Sequence, residues 1–239
     1  MMGLLCFVLF LCALCTSTVA INNPHVINSM DDFWVMYDSA NNGTFSFDVD
    51  LRCDLNFSTQ TRRMERPLGQ QIRGSYSYSY NGVFEGNNHS IFGLNITLPQ
   101  QDSSDAGFFY ALGNATIRNL RFDSSCVFSG AWAGAVAVKT FSNTFVHIKN
   151  VHSAATVDSG GITGGLVGLF DSSQVVLESC SNSGNISVTT STLIVFHGVG
   201  GIVGRLSSLN TTVFDCHNSG TVRVTMDNLR RSPSTAHAS

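Results

Sequence analysis

The chain has 239 residues, with 13 Lys and Arg against 16 Asp and Glu, a formal net charge of −3. No basic excess is available to neutralise a phosphate backbone, which excludes a nucleic-acid binder. A 43% hydrophobic fraction excludes a disordered chain, and 22 Gly against 4 Pro, with abundant Ser, Thr and Asn, suits a turn-rich β protein.

The chain opens with an apolar run, Leu4 to Cys15. Its 12 residues are too few to span a bilayer. Small residues at Thr18 and Ala20 fit cleavage after Ala20, so residues 1–20 read as a signal peptide, although no Lys or Arg precedes the run. No second long apolar segment follows, and no transmembrane segment is expected after cleavage. Seven sequons fit a secretory route: Asn42, Asn56, Asn88, Asn95, Asn114, Asn185 and Asn210 are glycosylation candidates. Three of the seven cysteines belong to the leader, leaving Cys53, Cys126, Cys180 and Cys216. These four hold no C-x-x-C pair, so no metal or redox cofactor is expected.

Residues 21–45 read as an N-terminal cap. Ser29 precedes Asp31 and Asp32, an N-cap with acids in the first turn, and Phe33, Met36, Tyr37 and Ala40 recur at helical spacing. From Phe45 to Phe57 the pattern turns to period 2. Val49, Leu51, Cys53, Leu55 and Phe57 face one way, while Asp48, Asp50, Arg52 and Asp54 face the other as a solvated face. Tyr76, Tyr78 and Tyr80 alternate too, and a shared tyrosine face is a candidate platform for sugar rings.

The strongest signal lies downstream. Gly164 to Val188 is repeated by Gly200 to Val224 at a constant offset of 36 residues, without a gap. Gly165 matches Gly201, Cys180 matches Cys216, Asn182 matches Asn218 and Gly184 matches Gly220. Each copy holds three short apolar runs bounded by turn residues: Leu166–Phe170, Val175–Cys180 and Ile186–Val188 in the first. Three strands and three turns make one coil of a parallel β-solenoid, which must stack on neighbours to bury its apolar face. Fainter copies align upstream. Leu120, Val151, Cys180 and Cys216 share one position, and Ile117, Ile148, Leu177 and Val213 another, with Ile91 and Leu94 expected in the same two roles. Asn182 and Asn218 are expected to form a ladder at one turn. Cys180 and Cys216 fall on adjacent coils, as a buried thiol stack or a disulfide of awkward torsion.

The paired GGLVG…CSNSGNI and GGIVG…CHNSGTV units resemble the GLUG-type repeats of secreted and cell-surface proteins in bacteria and protists. FEGNNHSIFGLNI resembles the segment that opens such arrays, with Asn87-Asn88 where Asp/Asn-Gly is usual. The resemblance covers about Leu51 to Val224 and is strongest in the last two units. It implies a right-handed parallel β-helix and an extracellular role, often adhesive or as a spacer beside an enzymatic module; with the helix read at Ser29–Ala40 the expected fold is all-β with a short N-terminal capping helix. Residues 46–224 are then repeats and 225–239 a polar tail. The resemblance carries no catalytic residues.

The leading functional expectation is a secreted or cell-surface, non-enzymatic protein that binds a glycan or an extracellular or host protein. Leu193 and Phe196, in an apolar connector between coils, are binding-surface candidates beside the tyrosines. The alternative is a polysaccharide lyase or glycoside hydrolase working along a lateral groove, which needs converging carboxylates. Glu178 and Asp215 occupy neighbouring ladder positions that point to opposite faces. His152 and His217 align through Ser181, about 9–10 Å apart, too far for one metal.

Overall fold

The computed structural model describes residues 23–41, 45–70, 79–99, 104–171, 174–190, 198–208 and 210–226. The leader, Asn42, Tyr76, Tyr78, Leu193, Phe196 and residues 227–239 lie outside them.

The described chain is mostly β-strand, with parallel sheets and one α-helix. It opens with β1 (His25–Ile27), α1 (Met30–Asn41), β2 (Val49–Leu51), β3 (Leu55–Asn56) and a 3₁₀ turn at Phe57–Thr59. A pattern of strands then recurs. β4 (Ser79–Glu85), β5 (Ser90–Phe92) and β6 (Asn95–Thr97) come first, then β7 (Phe109–Phe122), β8 (Val127–Gly130) and β9 (Ala133–Gly134). Next are β10 (Ala137–Thr140), β11 (Phe145–Ser153), β12 (Thr156–Ser159) and β13 (Thr163–Gly164). The first long repeat gives β14 (Val167–Phe170), β15 (Gln174–Glu178), β16 (Ser181–Asn182) and β17 (Ile186–Thr190), and β18 (Val199–Gly200) leads into the second. The second gives β19 (Val203–Leu206), β20 (Asn210–Phe214), β21 (His217–Asn218) and β22 (Val222–Met226).

Each strand pairs in parallel with its counterpart about 30 residues away, giving three sheets. In one column Val49 pairs with Phe84, then Ile117, Ile148, Leu177 and Val213 follow. In a second, Ile96, Phe128, Val157, Ile186 and Val222 follow one another. In a third, Phe109, Ala137, Val167 and Val203 do. The two long repeats are adjacent and parallel in the expected register. Burial of these columns is the main stabilising term, about 1.5–3 kcal/mol for each large apolar side chain.

The first rows are lined by aromatics. Phe33 of α1 meets Phe57 edge-on at 5.2 Å and Phe108 at 6.2 Å, and Phe84 meets Phe108 at 5.8 Å. The helix thereby covers the first row. Its N-terminus is held as the sequence suggests. Ser29 Oγ accepts from the Asp32 N–H, and the Asp32 carboxylate accepts from Ser29 Oγ and from the Asn28 N–H. The cap is more than a helix, because β1 precedes α1 and pairs with β2.

The repeated Gly-Gly reflects a close approach. A Cβ on Gly165 would lie 2.6 Å from Asn182 Cγ, and closer still to the Gly201 carbonyl oxygen. Gly201 stands in the same relation to Asn218. The glycine and the asparagine 17 positions later therefore travel together in the sequence.

Four expectations need correction. Ile91 does not share the column of Ile117. Phe84 does, and Ile91 pairs with Phe122. The Phe45–Phe57 alternation is two strands separated by a corner at Arg52–Asp54, since the chain must turn to stay on the row. The Val175–Cys180 run likewise breaks at Ser179, whose φ is +52°. Tyr80 is no surface platform. It is fully buried, 4.9 Å from the Phe45 ring and 5.0 Å from Phe109.

Candidate functional site

Residues bearing chemistry concentrate on the outward side of the sheet formed by β4, β7, β11, β15 and β20. Alternation sends Ile117, Ile148 and Leu177 inward, and so sends their neighbours out. Glu85, Arg118, Lys149, Glu178 and Phe214 form one outward column. Val83, Thr116, His147, Val176 and Thr212 form the next. Charges of opposite sign pair along the first. Arg118 Nε donates to Glu85 Oε2 at 2.5 Å, and Lys149 Nζ lies 2.9 Å from Glu178 Oε1. His147 Nε2 approaches Glu178 Oε2 at 3.3 Å. The Lys149 ammonium, then His147, hold the Glu178 carboxyl below its usual range. Burial pushes Glu85 up, but bonds from Asn119, the Asn87 N–H and Arg118 together outweigh it and leave the carboxyl lowered.

In the four rows that follow that of Glu85 the chain turns a corner immediately after this column, on a left-handed residue: Asn119 (φ +56°), Asn150 (+51°), Ser179 (+52°) and Asp215 (+53°). Asn and Asp visit this region most readily among residues with a Cβ. Their side chains bond from row to row. Asn119 Nδ2 donates to Glu85 Oε1 at 2.8 Å, and Asn150 Nδ2 donates to Asn119 Oδ1 at 2.8 Å and to Asn88 Oδ1 at 3.2 Å. Ser179 Oγ donates to Asp215 Oδ2 at 3.0 Å. Asn182 and Asn218 are not left-handed. Those two sit in β16 and β21, where Asn182 Nδ2 donates to Asn218 Oδ1 at 2.8 Å and to the Gly184 carbonyl at 2.9 Å.

Beside the corner, His152 bridges two rows. Asn150 donates through Nδ2, so its Oδ1 is an acceptor, and His152 Nε2 at 2.9 Å carries the proton. Nδ1, 2.8 Å from Ser181 Oγ, then accepts the hydroxyl proton. Burial first, then Arg121 and His217, keeps the imidazole pKa below its usual value, in accord with a neutral ring. This Ser–His–Asn chain has the order of a nucleophilic triad but not its surroundings. Ser181 lies in a strand paired on both sides, with β11 and β21, so its neighbouring amides serve the ladder rather than an oxyanion.

The acidic face of residues 48–54 is also distributed row by row. Asp48 Oδ1 accepts from the Val83 N–H at 2.7 Å, Asp50 from Arg52 at 2.8 Å and Asn87 at 2.6 Å, and Asp54 from the Ser90 N–H at 2.9 Å. His89 Nδ1 lies 3.0 Å from Asp54. Among the described residues no three His, Cys, Asp or Glu side chains gather as a metal site. A separate groove of about 230 Å³ lies between the 3₁₀ turn and β6, lined by Phe57, Arg62, Arg63, Met64, Leu94 and Asn95. Arg62 is spent there on Asp38 and on the Trp34 ring at 4.4 Å.

Cys53, Cys126, Cys180 and Cys216 are all unpaired thiols. Cys180 is buried, its thiol pushed up to about 12 by that burial, and it donates to the Ile148 carbonyl at 3.5 Å. Six sequon asparagines fall in the described residues. Asn56, Asn88, Asn95, Asn114, Asn185 and Asn210 are all exposed. The corner ladder was visible in the sequence only as an aligned column. Its left-handed backbone was signalled by the residue types at Asn119, Asn150 and Asp215 but not by Ser179.

Among the described residues no helix is long and apolar enough to cross a membrane. No family model matches the chain, and no solved structure does. Over 160 residues, 66% of this chain, it is 29% identical to Halomucin of Haloquadratum walsbyi (strain DSM 16790 / HBSQ001). That stretch is 2% of Halomucin, so the similarity concerns a small part of a far longer protein.

Proposed function

We propose that the chain is a right-handed parallel β-helix of GLUG-type repeats, secreted or displayed at a cell surface, that binds a glycan or an extracellular protein without catalysis. The observation that carries this reading is the outward face itself. Hydrogen-bonding and charged groups recur there from row to row at the strand separation of about 4.8 Å. They are bonded to one another rather than focused on one point. Such a face suits an extended polar ligand, which needs many modest contacts in register. Chemistry needs a converging acid and base instead. The exposed sequons and the apolar leader support an extracellular setting, and the similarity to Halomucin, a mucin by name, leans the same way.

The test is binding of the mature chain to a glycan array and to matrix proteins, repeated with Lys149→Glu and Arg118→Glu. Tenfold weaker binding with an unchanged melting temperature is expected. Binding unaffected by either reversal would remove this face from the function. Turnover of a polysaccharide by the purified chain would favour the lyase or hydrolase reading.

A further inference from the structure

On the outward face the polar groups are bonded to one another. Around the groove between the 3₁₀ turn and β6 they are not. That groove, of about 230 Å³, continues into a second of about 310 Å³, and Arg63, Met64 and Asn95 line both. Its floor is apolar, for Phe57, Met64 and Leu94 are buried. Its rim carries Ser58, Arg63 and Asn95, all exposed. Gly93, at φ +63°, puts no side chain into it, and a Cβ there would strike Ser58 Oγ. Arg62 is already held by Asp38 and the Trp34 ring, but among the described residues the Arg63 guanidinium has no ion pair or hydrogen bond. Asn95 Oδ1 accepts from Thr97 Oγ1 at 2.6 Å, which leaves the Asn95 amide protons to donate elsewhere.

We infer that this groove is a binding site for a uronic acid residue of a glycan, with the sugar carboxylate on Arg63. A concave site with an apolar floor and a few convergent polar groups is the usual form of a small-ligand site. A sugar ring matches it, since its C–H face can lie on Met64 and Leu94 while its hydroxyls meet Ser58 and Asn95. The planar guanidinium matches a carboxylate through two parallel N–H bonds. Glu65 lines only the second hollow, so an anion is favoured in the first, beside Arg63. The inference takes from the proposed function only that the ligand is a glycan, and it places that sugar apart from the Glu85–Phe214 column.

Calorimetric titration with trigalacturonate tests this, on chain from a host that leaves Asn95 unglycosylated. Binding with a Kd below about 1 mM is expected, and the trimethyl ester, neutral and of the same shape, should bind about tenfold more weakly. Arg63→Gln should weaken trigalacturonate about tenfold at an unchanged melting temperature, because Arg63 is exposed and unpaired. Glu65→Gln should tighten it by removing a like charge, and Arg118→Glu should leave it unchanged. Equal binding of acid and ester, or of wild type and Arg63→Gln, overturns the inference. A sulfated trisaccharide that binds more tightly than the uronate overturns the choice of carboxylate. Glycans bound through Lys149 and Arg118, with no trigalacturonate bound, overturn this site and keep the glycan reading. A chain that binds no glycan at all overturns both.

Discussion

Replacing Asn182 by alanine separates a buried row from the exposed one that repeats it. Asn182 is fully buried and makes three hydrogen bonds. It donates to the Gly184 carbonyl at 2.9 Å and to Asn218 Oδ1 at 2.8 Å, and it accepts from the Gly184 N–H at 3.3 Å. Alanine leaves the Gly184 carbonyl and N–H buried without that partner, at about 1–3 kcal/mol per unsatisfied group. The long N–H bond counts toward the low end, so about 2–4 kcal/mol is expected in total. Asn218 makes the equivalent bond to the Gly220 carbonyl at 2.8 Å, but it is exposed. Water replaces its partners, and Asn218→Ala should cost only about 0.5–1 kcal/mol. The sequence alone gives the two residues equal roles and equal costs, and exposure separates them. Urea unfolding of each variant measures the difference as a change in midpoint at constant m. Equal shifts, or an Asn182→Ala cost below about 1 kcal/mol, would refute the buried ladder.

The Tyr80 hydroxyl is buried with no hydrogen-bond partner among the described residues, so Tyr80→Phe should be neutral or stabilising by up to about 1 kcal/mol. A loss of more than about 1 kcal/mol in the same unfolding assay would show a missed partner. Burial places the Cys126 thiol at about 11 and Cys180 at about 12, so at pH 8 both should resist iodoacetamide in the native protein while half-exposed Cys216 labels readily. Mass spectrometry of labelled peptides checks this, and equal labelling would contradict the burial. The depressed pKa of His152 means the unfolded chain takes up its proton first as pH falls. Its contribution is complete above about 6.5, the unfolded value, and is lost as pH falls through the lower folded value. Melting temperatures at pH 7.5 and 5.5 should differ more for wild type than for His152→Gln, and identical differences would remove His152 as the cause.

What could be read from the sequence followed from what repeats without interruption. Gly165, Cys180, Asn182 and Gly184 return after 36 residues because each meets its own copy or a fixed neighbour, so the period survived in the letters. Upstream, pairs lie 33, 31 and 29 residues apart, as in Phe84 with Ile117, Ile117 with Ile148 and Ile148 with Leu177. Varying corner lengths blurred the register there, and Ile91 fell in the wrong column. Alternation separates the two faces of a strand but does not say which is buried. Tyr80 was misplaced for that reason, although it shares parity with Phe84, and a core Phe84 implies a core Tyr80. The left-handed corner at Ser179 gave no cue, because serine, unlike the Asn and Asp of the other rows, has no particular preference for that backbone.

The stacking of the rows is tested most directly by pulsed electron paramagnetic resonance on one outward column. Thr97, Ser129, Asp158, Ser187 and Arg223 follow one another across β6, β8, β12, β17 and β22. Spin labels at Thr97 and Ser187 span three strand separations, about 14 Å between backbones, and labels at Thr97 and Arg223 span four, about 19 Å. With the native cysteines replaced and the protein dilute enough to be monomeric, the second distance should exceed the first by about one strand separation, close to 4.8 Å. Equal distances, or a shorter one to Arg223, would contradict rows stacked in parallel and in chain order.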